Sequence, residues 1–261
     1  MIRFELADAP ALLNLSESVG WNHTLNDWQT ALSAGSVFGQ RAGDEIQSSA
    51  AIYKYGTELA SIGQVIVREG ARRQGLGRAL MLHCLRQAPG QPTMLVATPD
   101  GEPLYTSLGF RIVEAVHRFI GTGAVSVGNG CRAMTEAELP LACALDAAAY
   151  GADRSRLLRE RWKRVTRGAV LSDGSGFAWC TERNTGPVIA PRWEQAAELI
   201  SFLCAANQVV IDVPEGQTEL LDWLRRAGLR PLGSRPLMLL NAEELPGRRS
   251  AVFGLASLAY G

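Results

Sequence analysis

The hydrophobic positions of the first part of the chain follow two different periods. An apolar-rich strand spans 2–7, and apolar residues at helical spacing predict helices over about 9–19 and 24–34. Strand-like runs follow at 36–42, 46–56 and 58–68, with glycine at the joints. We therefore expect two helices followed by an antiparallel meander.

Beyond residue 74 the period becomes helical and stays so until the Pro and Gly residues of 89–92. The apolar stripe of this helix is formed by Leu76, Ala79, Leu80 and Cys84. A buried strand is predicted over 93–98, a short helix over 100–108 and a closing strand over 109–119. The long helix is expected to pack on the sheet.

Much of this order then repeats. The glycine-rich stretch 121–130 is the best linker candidate. After it, an opening strand and two helical patterns are predicted over 132–151 and 153–165, and early strands over 168–183. A long helix follows over 193–207, a strand over 208–214, a short helix with its turn over 218–233 and a last strand over 236–241. The repeat predicts an α+β fold with a mixed α/β sheet in two tandem domains, 1–120 and 131–261. Two unrelated α+β domains are the alternative, because the repeat is one of pattern and hardly one of identity.

Composition narrows the function classes. Lys plus Arg and Asp plus Glu both total 26, so no overall field recruits nucleic acid or an anionic membrane. The N-terminus lacks the apolar run of a signal peptide, and no stretch approaches a membrane span, so we expect a soluble, cytoplasmic protein. The five cysteines form no C-x-x-C pair and are expected to be reduced core residues. No Cys/His spacing suggests a metal site.

The stretch "ARRQGLGRAL" at 71–80 carries the candidate chemistry, because it lies where a strand gives way to a helix. A helix N-terminus has unpaired N–H groups and the positive end of the macrodipole, and glycines let an anion approach the backbone. Gly75 and Gly77 supply that approach, while the arginines can donate forked hydrogen bonds to phosphate: Arg72, Arg73 and Arg78. The spacing excludes a Walker loop and a G-x-G-x-x-G loop. The remaining alternative is an ordinary helix start with solvated arginines.

Two spaced motifs resemble the GCN5-related N-acetyltransferase (GNAT) family. The family's Arg/Gln-x-x-Gly-x-Gly/Ala motif for acetyl-coenzyme A matches Arg72-Arg73-Gln74-Gly75-Leu76-Gly77. Its Tyr-x-x-x-Gly-Phe landmark matches 105–110. The resemblance covers residues 1 to about 120, whereas the second half shows only the element order. There Trp193 and Glu194 stand at the equivalent helix start and would obstruct and repel a pyrophosphate.

The resemblance implies a site and a reaction. The fourth and fifth strands of the family splay apart, and the amide-bearing arm of acetyl-CoA pairs with the fourth strand, here Val65, Ile66 and Val67. The phosphates would be held by 72–78. Tyr105 would act as the general acid toward the departing thiolate, since a phenol beside a thiolate suits that role; its alternative is ordinary aromatic packing.

The resemblance leaves two points open. Relatives often carry a carboxylate on the fourth strand to take the proton of the amine, but 60–67 holds none. Four other residues are candidates, each with a surface or capping role as its alternative: His23, Asp27, Glu45 and Glu58. Thr98 also stands where relatives often carry Asn, which leaves one cofactor contact in question.

In this family the segment between the first two helices contributes to acceptor choice, and here it is "VGWNHTLNDWQ". This segment could line a pocket for a small amine and supply one charged group that binds it, through Trp21, His23, Asp27 and Trp28. Alternatively, both tryptophans belong to the core and Asp27 belongs to the start of a helix. The basic cluster over 153–167 fits a solvated helix, a wall of the acceptor site or a dock for an acidic partner.

Three function classes follow from the residues and the resemblance. The leading one transfers acetyl from acetyl-CoA to a primary amine of a small molecule, without a metal, in a monomer or homodimer. A protein acetyltransferase acting on Lys or N-terminal amines and a non-catalytic acyl-CoA sensor are the alternatives. An intact Tyr105 favours an enzyme over a sensor, and the Trp-containing segment favours a small acceptor over a polypeptide.

Overall fold

The helices lie where the apolar periodicity predicts them. The computed structural model describes residues 1–122, 130–204 and 208–261. Its α-helices are α1 Ala9–Glu17, α2 Leu25–Ala34, α3 Leu76–Arg86, α4 Glu102–Ser107, α5 Leu139–Tyr150, α6 Ser155–Trp162, α7 Trp193–Cys204 and α8 Thr218–Arg226. Most of the proposed linker, 123–129, lies outside the described residues.

The strands form one continuous mixed sheet. They are β1 Ile2–Arg3, β2 Ser36–Ala42, β3 Glu45–Tyr55, β4 Leu59–Val67, β5 Thr93–Val96, β6 Arg111–Gly121, β7 Cys131–Ala133, β8 Arg167–Leu171, β9 Phe177–Cys180, β10 Thr185–Ile189, β11 Val209–Pro214, β12 Arg230–Leu240 and β13 Val252–Gly254. The order across the sheet is β1-β2-β3-β4-β5-β12-β6-β11-β10-β9-β8-β7, and β13 pairs with β10. The predicted meander β2-β3-β4 is confirmed as antiparallel.

The two halves exchange their closing strands. β12, from the second half, lies antiparallel between β5 and β6 of the first half. In return β6 pairs antiparallel with β11 of the second half. Each half therefore completes its sheet with a strand of the other, and the halves form a single sheet although the repeat in the sequence suggests two.

The turn after the short helix shows the repeat at the level of single hydrogen bonds. After α4 the Phe110 N–H donates to the Tyr105 carbonyl, and after α8 the Leu229 N–H donates to the Leu224 carbonyl. Gly109 and Gly228 both have positive φ, +92° and +84°, in the left-handed region that ends helices without strain in glycine. Leu224 thus occupies the second-half position that corresponds to Tyr105.

Four helices share one core between the halves. A cluster of buried side chains from α1, α2, α5 and α6 packs on one face of the sheet, with Trp28, Leu158 and Trp179 all fully buried in it. Helices α3 and α4 pack on the sheet of the first half around Leu80, and α7 and α8 on that of the second around Leu199. Burial of this shared apolar surface stabilises the two halves as one body.

The basic cluster around α6 lies at the junction of the halves, and its interpretation as a solvated helix is wrong for two of its arginines, Arg154 and Arg161, which are buried. Arg154 is 1 % exposed, and its Nε and Nη2 donate to the Asp146 carboxylate at 2.9 and 2.7 Å. Arg156 donates to the Ser33 carbonyl and Arg164 to the Gln29 side chain, both at 2.8 Å. Arg156 and Arg164 remain exposed, and their hydrogen bonds tie α6 and the residues after it to α2.

Some elements differ from the periodic pattern. The first strand ends at Arg3, because a 3-10 turn over Leu6–Asp8 leads into α1. Two short strands were not predicted: β10, which contains a proline, and β13 in the final segment. Neither shows alternation, because every residue of each strand is buried.

Candidate active site

The edge of β4 opens beside β5. The two strands pair in parallel at Ala60–Thr93 and Ser61–Met94, and beyond this point β4 does not pair with β5. A bulge follows in β4: Gln64 has φ +46°, and its side chain accepts a hydrogen bond from the Tyr53 hydroxyl at 2.7 Å. The β5-facing edge of Val65, Ile66 and Val67 therefore faces the resulting gap, as the predicted cofactor strand requires.

The loop between β4 and α3 presents its donors to solvent. Gly75 has φ +78° directly before α3, and the first helical hydrogen bond runs from the Ala79 N–H to the Gly75 carbonyl. The N–H groups of residues 75–78 therefore have no partner within the helix. The side chains of Arg72, Arg73 and Arg78 are exposed.

Small contacts hold this loop in place. The Arg72 side chain donates to the Val67 carbonyl at 3.4 Å, Gln74 donates to the Gly70 carbonyl at 3.5 Å and Arg78 donates to the Ser107 hydroxyl at 3.3 Å. These contacts involve neutral acceptors, and among the described residues no carboxylate forms an ion pair with these arginines. The loop thus offers free donors and free positive charge at a helix N-terminus, which fits a phosphate group.

A cavity of about 460 Å³ lies on the sheet where β4 and β5 separate. It is lined by the β4 bulge, the end of β5, the segment before α2 and parts of the second half. Tyr105, Trp21, His23, Asp27 and Val65 all line it. The structure therefore brings the predicted acid and most of the predicted acceptor segment to one site.

Tyr105 is almost enclosed at this site. It is 7 % exposed and packs edge-on against Phe110, with ring centroids 6.2 Å apart. Burial raises the pKa of Tyr105 to about 12. The hydroxyl therefore stays protonated at physiological pH, which is the state that a proton donor needs.

His23 and Asp27 form the polar part of the acceptor segment. Asp27 caps α2, with Oδ2 accepting from the Thr24 N–H and hydroxyl, both at 2.8 Å. His23 lies edge-on between Trp21 and Trp28, with both pairs of ring centroids 5.4 Å apart. Burial lowers the pKa of His23 below 6.5, Asp27 opposes this, and Arg183 adds to the lowering.

Trp28 does not line the cavity. It is fully buried, and its indole N–H donates to the Ser16 hydroxyl at 3.1 Å. Its place on the inner face of α2 directs the ring into the shared core, so the pocket-wall role predicted for Trp28 is replaced by a packing role behind His23. The capping alternative for Asp27 is also present, together with its place in the cavity.

The other candidate proton acceptors lie away from the cavity. Glu45 is at the start of β3 and pairs with Arg68 at 3.3 Å, and Glu58 is bound to Thr57 in the turn before β4. Neither lines the cavity, whereas His23 and Asp27 do. Thr98 also lines it, and its carbonyl accepts from the N–H groups of Gly101 and Glu102 at 3.0 Å.

The second half supplies a wall of the same cavity, which sequence reasoning left open. Arg183 and Asn184 come from the turn between β9 and β10, and Arg235 from β12. The closing segment 257–260 adds a further wall. Its Tyr260 packs edge-on against Tyr53, with ring centroids 5.1 Å apart.

A glycine marks where this closing segment crosses the sheet. A side chain at Gly63 in β4 would collide with the Ala259 carbonyl. The Tyr55 hydroxyl donates to the Tyr260 carbonyl at 2.8 Å, and Arg154 donates to the Gly261 carbonyl at 2.6 Å. Glycine inside a strand is the sequence signal that could have indicated this close approach.

The corresponding cleft of the second half is filled by the chain itself. β10 and β11 pair in parallel at Thr185–Ile211, as β4 and β5 do. Beyond this pair, β13 lies antiparallel to β10, matching Val188 with Gly254 and Ile189 with Val252, and the Leu255 N–H donates to the Asp212 carbonyl. The strand edge that is open in the first half is thus paired within the chain in the second.

The described ranges were compared with the requirements of a metal site and of a membrane-spanning helix. Among residues 1–122, 130–204 and 208–261, no group of three or more His, Cys, Asp or Glu side chains could hold a metal ion. In the same ranges no helix is long and apolar enough to cross a membrane. Four of the five cysteines are buried, as the sequence predicts for core residues.

Two stretches of the chain match sequence profiles described as acetyltransferase (GNAT) domain, residues 34–112 and 142–254. Together they span more than half of the chain. A relative, the uncharacterized N-acetyltransferase YitH of Bacillus subtilis, is 28 % identical over 278 residues, which cover 100 % of this chain and 98 % of that protein.

Solved structures have the same architecture. A protein of Pyrococcus horikoshii assigned as an acetyltransferase gives a TM-score of 0.84 at 17 % identity, covering 100 % of this chain and 95 % of its own. A tandem GNAT protein from the clavulanic acid biosynthesis pathway gives 0.65 at 15 % identity, covering 93 % and 98 %. At these identities the likeness shows the fold. The chain therefore belongs to the GNAT acetyltransferases, carries two of their domains in tandem and is an acyltransferase.

Proposed function

We propose that the enzyme transfers acetyl from acetyl-CoA to a primary amine of a small molecule by direct attack, with Tyr105 as the general acid. The observation that carries this proposal is that Tyr105, the opened edge of β4 and the segment before α2 line one cavity. Enzymes of the family use acetyl-CoA as co-substrate and act on an acceptor. The identity of both partners for this chain is part of the proposal.

The residues of the first half fit acetyl-CoA. Its pyrophosphate would be held by the exposed N–H groups at the start of α3 and by Arg72, Arg73 and Arg78, with Gln74 and Leu76 completing the loop. Its amide-bearing arm would pair with the edge of β4 at Val65–Val67, which β5 leaves open. Acetyl-CoA supplies an activated thioester when it is bound.

Tyr105 would donate to the negative charge that develops on the departing sulfur. Its pKa of about 12 keeps the donor form populated over the whole physiological range. Because the phenol is a weaker acid than a thiol of pKa ~8.5, it would share its proton with the sulfur only as negative charge develops there in the transition state. Asp27 and His23 would orient the amine, and they are the candidate proton acceptors that line the cavity.

The walls of the cavity support a small acceptor over a polypeptide. The turn carrying Arg183 and the segment 257–260 bound the acceptor side, and the segment is tied to the sheet through Tyr55 and Arg154. A polypeptide would have to enter past these fixed walls. The presence of Tyr105 in the cavity also supports an enzyme over a sensor.

The filled cleft of the second half supports one acetyl-CoA per chain. β13 pairs with the edge of β10 that would correspond to the cofactor strand. Trp193 and Glu194 at the start of α7 add bulk and negative charge where the first half has glycine. We therefore assign residues 1–120 as the catalytic domain, 121–130 as the linker and 131–261 as a degenerate domain that forms part of the acceptor wall.

A screen of primary amines with acetyl-CoA, followed by thiol release, tests the function. We expect release that depends on a small amine and that Tyr105→Phe reduces. Equal release with peptides bearing Lys or a free N-terminus would favour the protein acetyltransferase. Tight acetyl-CoA binding with no release for any amine would favour the sensor.

A further inference from the structure

The cavity holds more positive than negative charge. Three arginines line it, Arg118, Arg183 and Arg235, and among its lining residues the one carboxylate is Asp27. Arg118 is neutralised by the buried Asp212, to which its Nε and Nη2 donate at 2.7 and 2.8 Å. In the described part of the chain Arg183 and Arg235 form no ion pair with a carboxylate.

Arg183 is held at the cavity by a rigid turn. The neighbouring Asn184 donates to the Ala256 carbonyl at 2.6 Å, and its Oδ1 accepts from Thr181 and from Arg161, both at 3.1 Å. These bonds tie the turn to α6 and to the segment that leads into 257–260. The Arg183 side chain remains exposed, and its charge reaches His23, whose pKa it helps to lower.

Arg235 reaches the cavity from β12. It lies on β12 next to Pro236, whose carbonyl accepts from the Ala97 N–H at 2.9 Å, and so it stands beside the end of β5. Its own hydrogen bond runs to the Ser234 carbonyl at 3.3 Å, a neutral acceptor. Its donors toward the cavity are therefore not used by another side chain of the described residues.

The phosphates of acetyl-CoA do not account for these two arginines. The loop proposed to hold those phosphates is 72–78, and none of its residues lines the cavity. Arg183 and Arg235 instead share the cavity with Trp21, His23 and Asp27, the predicted acceptor segment. Guanidinium groups bind carboxylate and phosphate through forked, charge-assisted hydrogen bonds.

We propose that the acceptor amine carries an anionic group, a carboxylate or a phosphate, which Arg183 and Arg235 bind. The inference rests on the proposed function and narrows its acceptor class. The degenerate half of the chain then has a specific task, because both arginines belong to it: it selects the acceptor for the reaction that the first half carries out.

Matched amines test the proposal directly. The carboxylate pair is 6-aminohexanoate and 6-aminohexanamide, and the phosphate pair is phosphoethanolamine and ethanolamine. Thiol release is measured at saturating acetyl-CoA, and binding of each amine is measured by calorimetry to the full chain saturated with coenzyme A. We expect the anionic member of at least one pair to bind roughly 10- to 100-fold more tightly, as charge-assisted hydrogen bonds predict. The pair with the larger ratio identifies the anion.

Variants assign the preference to the two arginines. Arg183→Gln and Arg235→Gln should each reduce the ratio between the anionic and the neutral amine, and the double variant should bring it close to one. Arg183→Lys keeps the charge and should retain part of the ratio. Arg226→Gln, an exposed arginine of α8 outside the cavity, is the control and should leave the ratio unchanged.

The outcomes separate this inference from the proposed function. Equal binding within both pairs would overturn the anionic acceptor, and a preference that survives the double variant would overturn its assignment to Arg183 and Arg235. A raised KM for acetyl-CoA with unchanged acceptor preference would also overturn it, because the arginines would then serve the cofactor. The proposed function fails separately if no amine of the wider screen causes thiol release.

Discussion

The two halves of the chain have the same order of elements but differ at each position that the proposed acetyl transfer uses. The first half has Gly75 and Gly77 at the start of the long helix, an open edge on β4 and Tyr105 on the short helix. The second half has Trp193 and Glu194, an edge paired by β13, and Leu224 in place of the tyrosine. At β13 and Leu224 packing replaces an open edge and a polar side chain, and at the start of α7 bulk and negative charge replace glycine.

The proposed function gives the two halves different roles, and the structure differs at the corresponding positions. Leu224 is fully buried and belongs to the core under α8, whereas Tyr105 lines a cavity. The strand exchange places β12 beside β5, so Arg235 of the second half reaches the site of the first. Under the proposed function, the second half carries out no transfer of its own and contributes a wall to the site of the first half.

The largest expected effect is the loss of the acid from the first half. Tyr105→Phe keeps the ring and its contact with Phe110, so folding and acetyl-CoA affinity should change little. General acid catalysis contributes roughly 10²–10⁴-fold, and kcat should fall by about that factor in single-turnover measurements. Leu224→Met, the matched change in the second half, should leave kcat unchanged. Near-normal turnover in the Phe variant would return Tyr105 to a packing role.

The second-largest expected effect is a loss of acetyl-CoA affinity when the proposed phosphate loop, 72–78, is changed. Gly77→Glu places a carboxylate where the pyrophosphate is proposed to bind, and the nearest atom to its Cβ is the mobile end of Leu104 at 3.2 Å, so the fold should tolerate it. Acetyl-CoA affinity should fall by about 100-fold or more, since charge-assisted bonds are lost and repulsion is added. Calorimetry measures this, and Glu194→Ala is the control in α7. Unchanged affinity in a folded Gly77→Glu variant would refute the loop assignment.

A third prediction concerns how firmly the second half is held against the first. Asp146→Ala leaves Arg154 charged and buried without its partner, and it should lower the free energy of unfolding by about 3–5 kcal/mol. Arg154 also contacts Tyr55 and the Gly261 carbonyl, so this loss should appear in one cooperative transition of the whole chain. Denaturant unfolding measures it, with Asp222→Ala of the exposed Arg225–Asp222 pair as control. Two separate transitions would contradict the shared core.

The smallest expected effect is in the shape of the pH profile. The amine must lose its proton before it attacks, so kcat/KM should rise with pH until the amine is neutral. Because burial raises the pKa of Tyr105 to about 12, the acid stays protonated and no descending limb should appear below about pH 11. A decrease of kcat/KM at a pH well below 11 that is present in the wild type and absent in Tyr105→Phe would contradict the assigned protonation state.

The sequence predicts the helices and the long strands well, because their apolar periods are strong. It does not reveal the strand exchange, because β6 and β12 have similar patterns and the local sequence of a strand does not determine which strands it pairs with. β13 was missed for a related reason: its three residues are buried on all sides and show no alternation.

The candidate site also contains residues that the sequence predicts and residues that it does not. Residues 72–78 and Tyr105 lie in motifs whose spacing can be recognised, and Trp21, His23 and Asp27 lie in one continuous segment. Arg183, Arg235 and 257–260 come from separate parts of the second half and meet only through the sheet order and the path of the closing segment. The apolar pattern could not show that Trp28 packs in the core while Trp21 lines the cavity, because the direction of the Trp28 side chain depends on where α2 begins.

The stoichiometry of acetyl-CoA binding tests most directly whether one half carries the reaction. Calorimetric titration of the full chain should give one acetyl-CoA per chain. In Gly77→Glu that single site should be lost, and in Glu194→Ala it should remain. Two equivalent sites, or one site that survives Gly77→Glu, would contradict the division of work between an open first half and a filled second half.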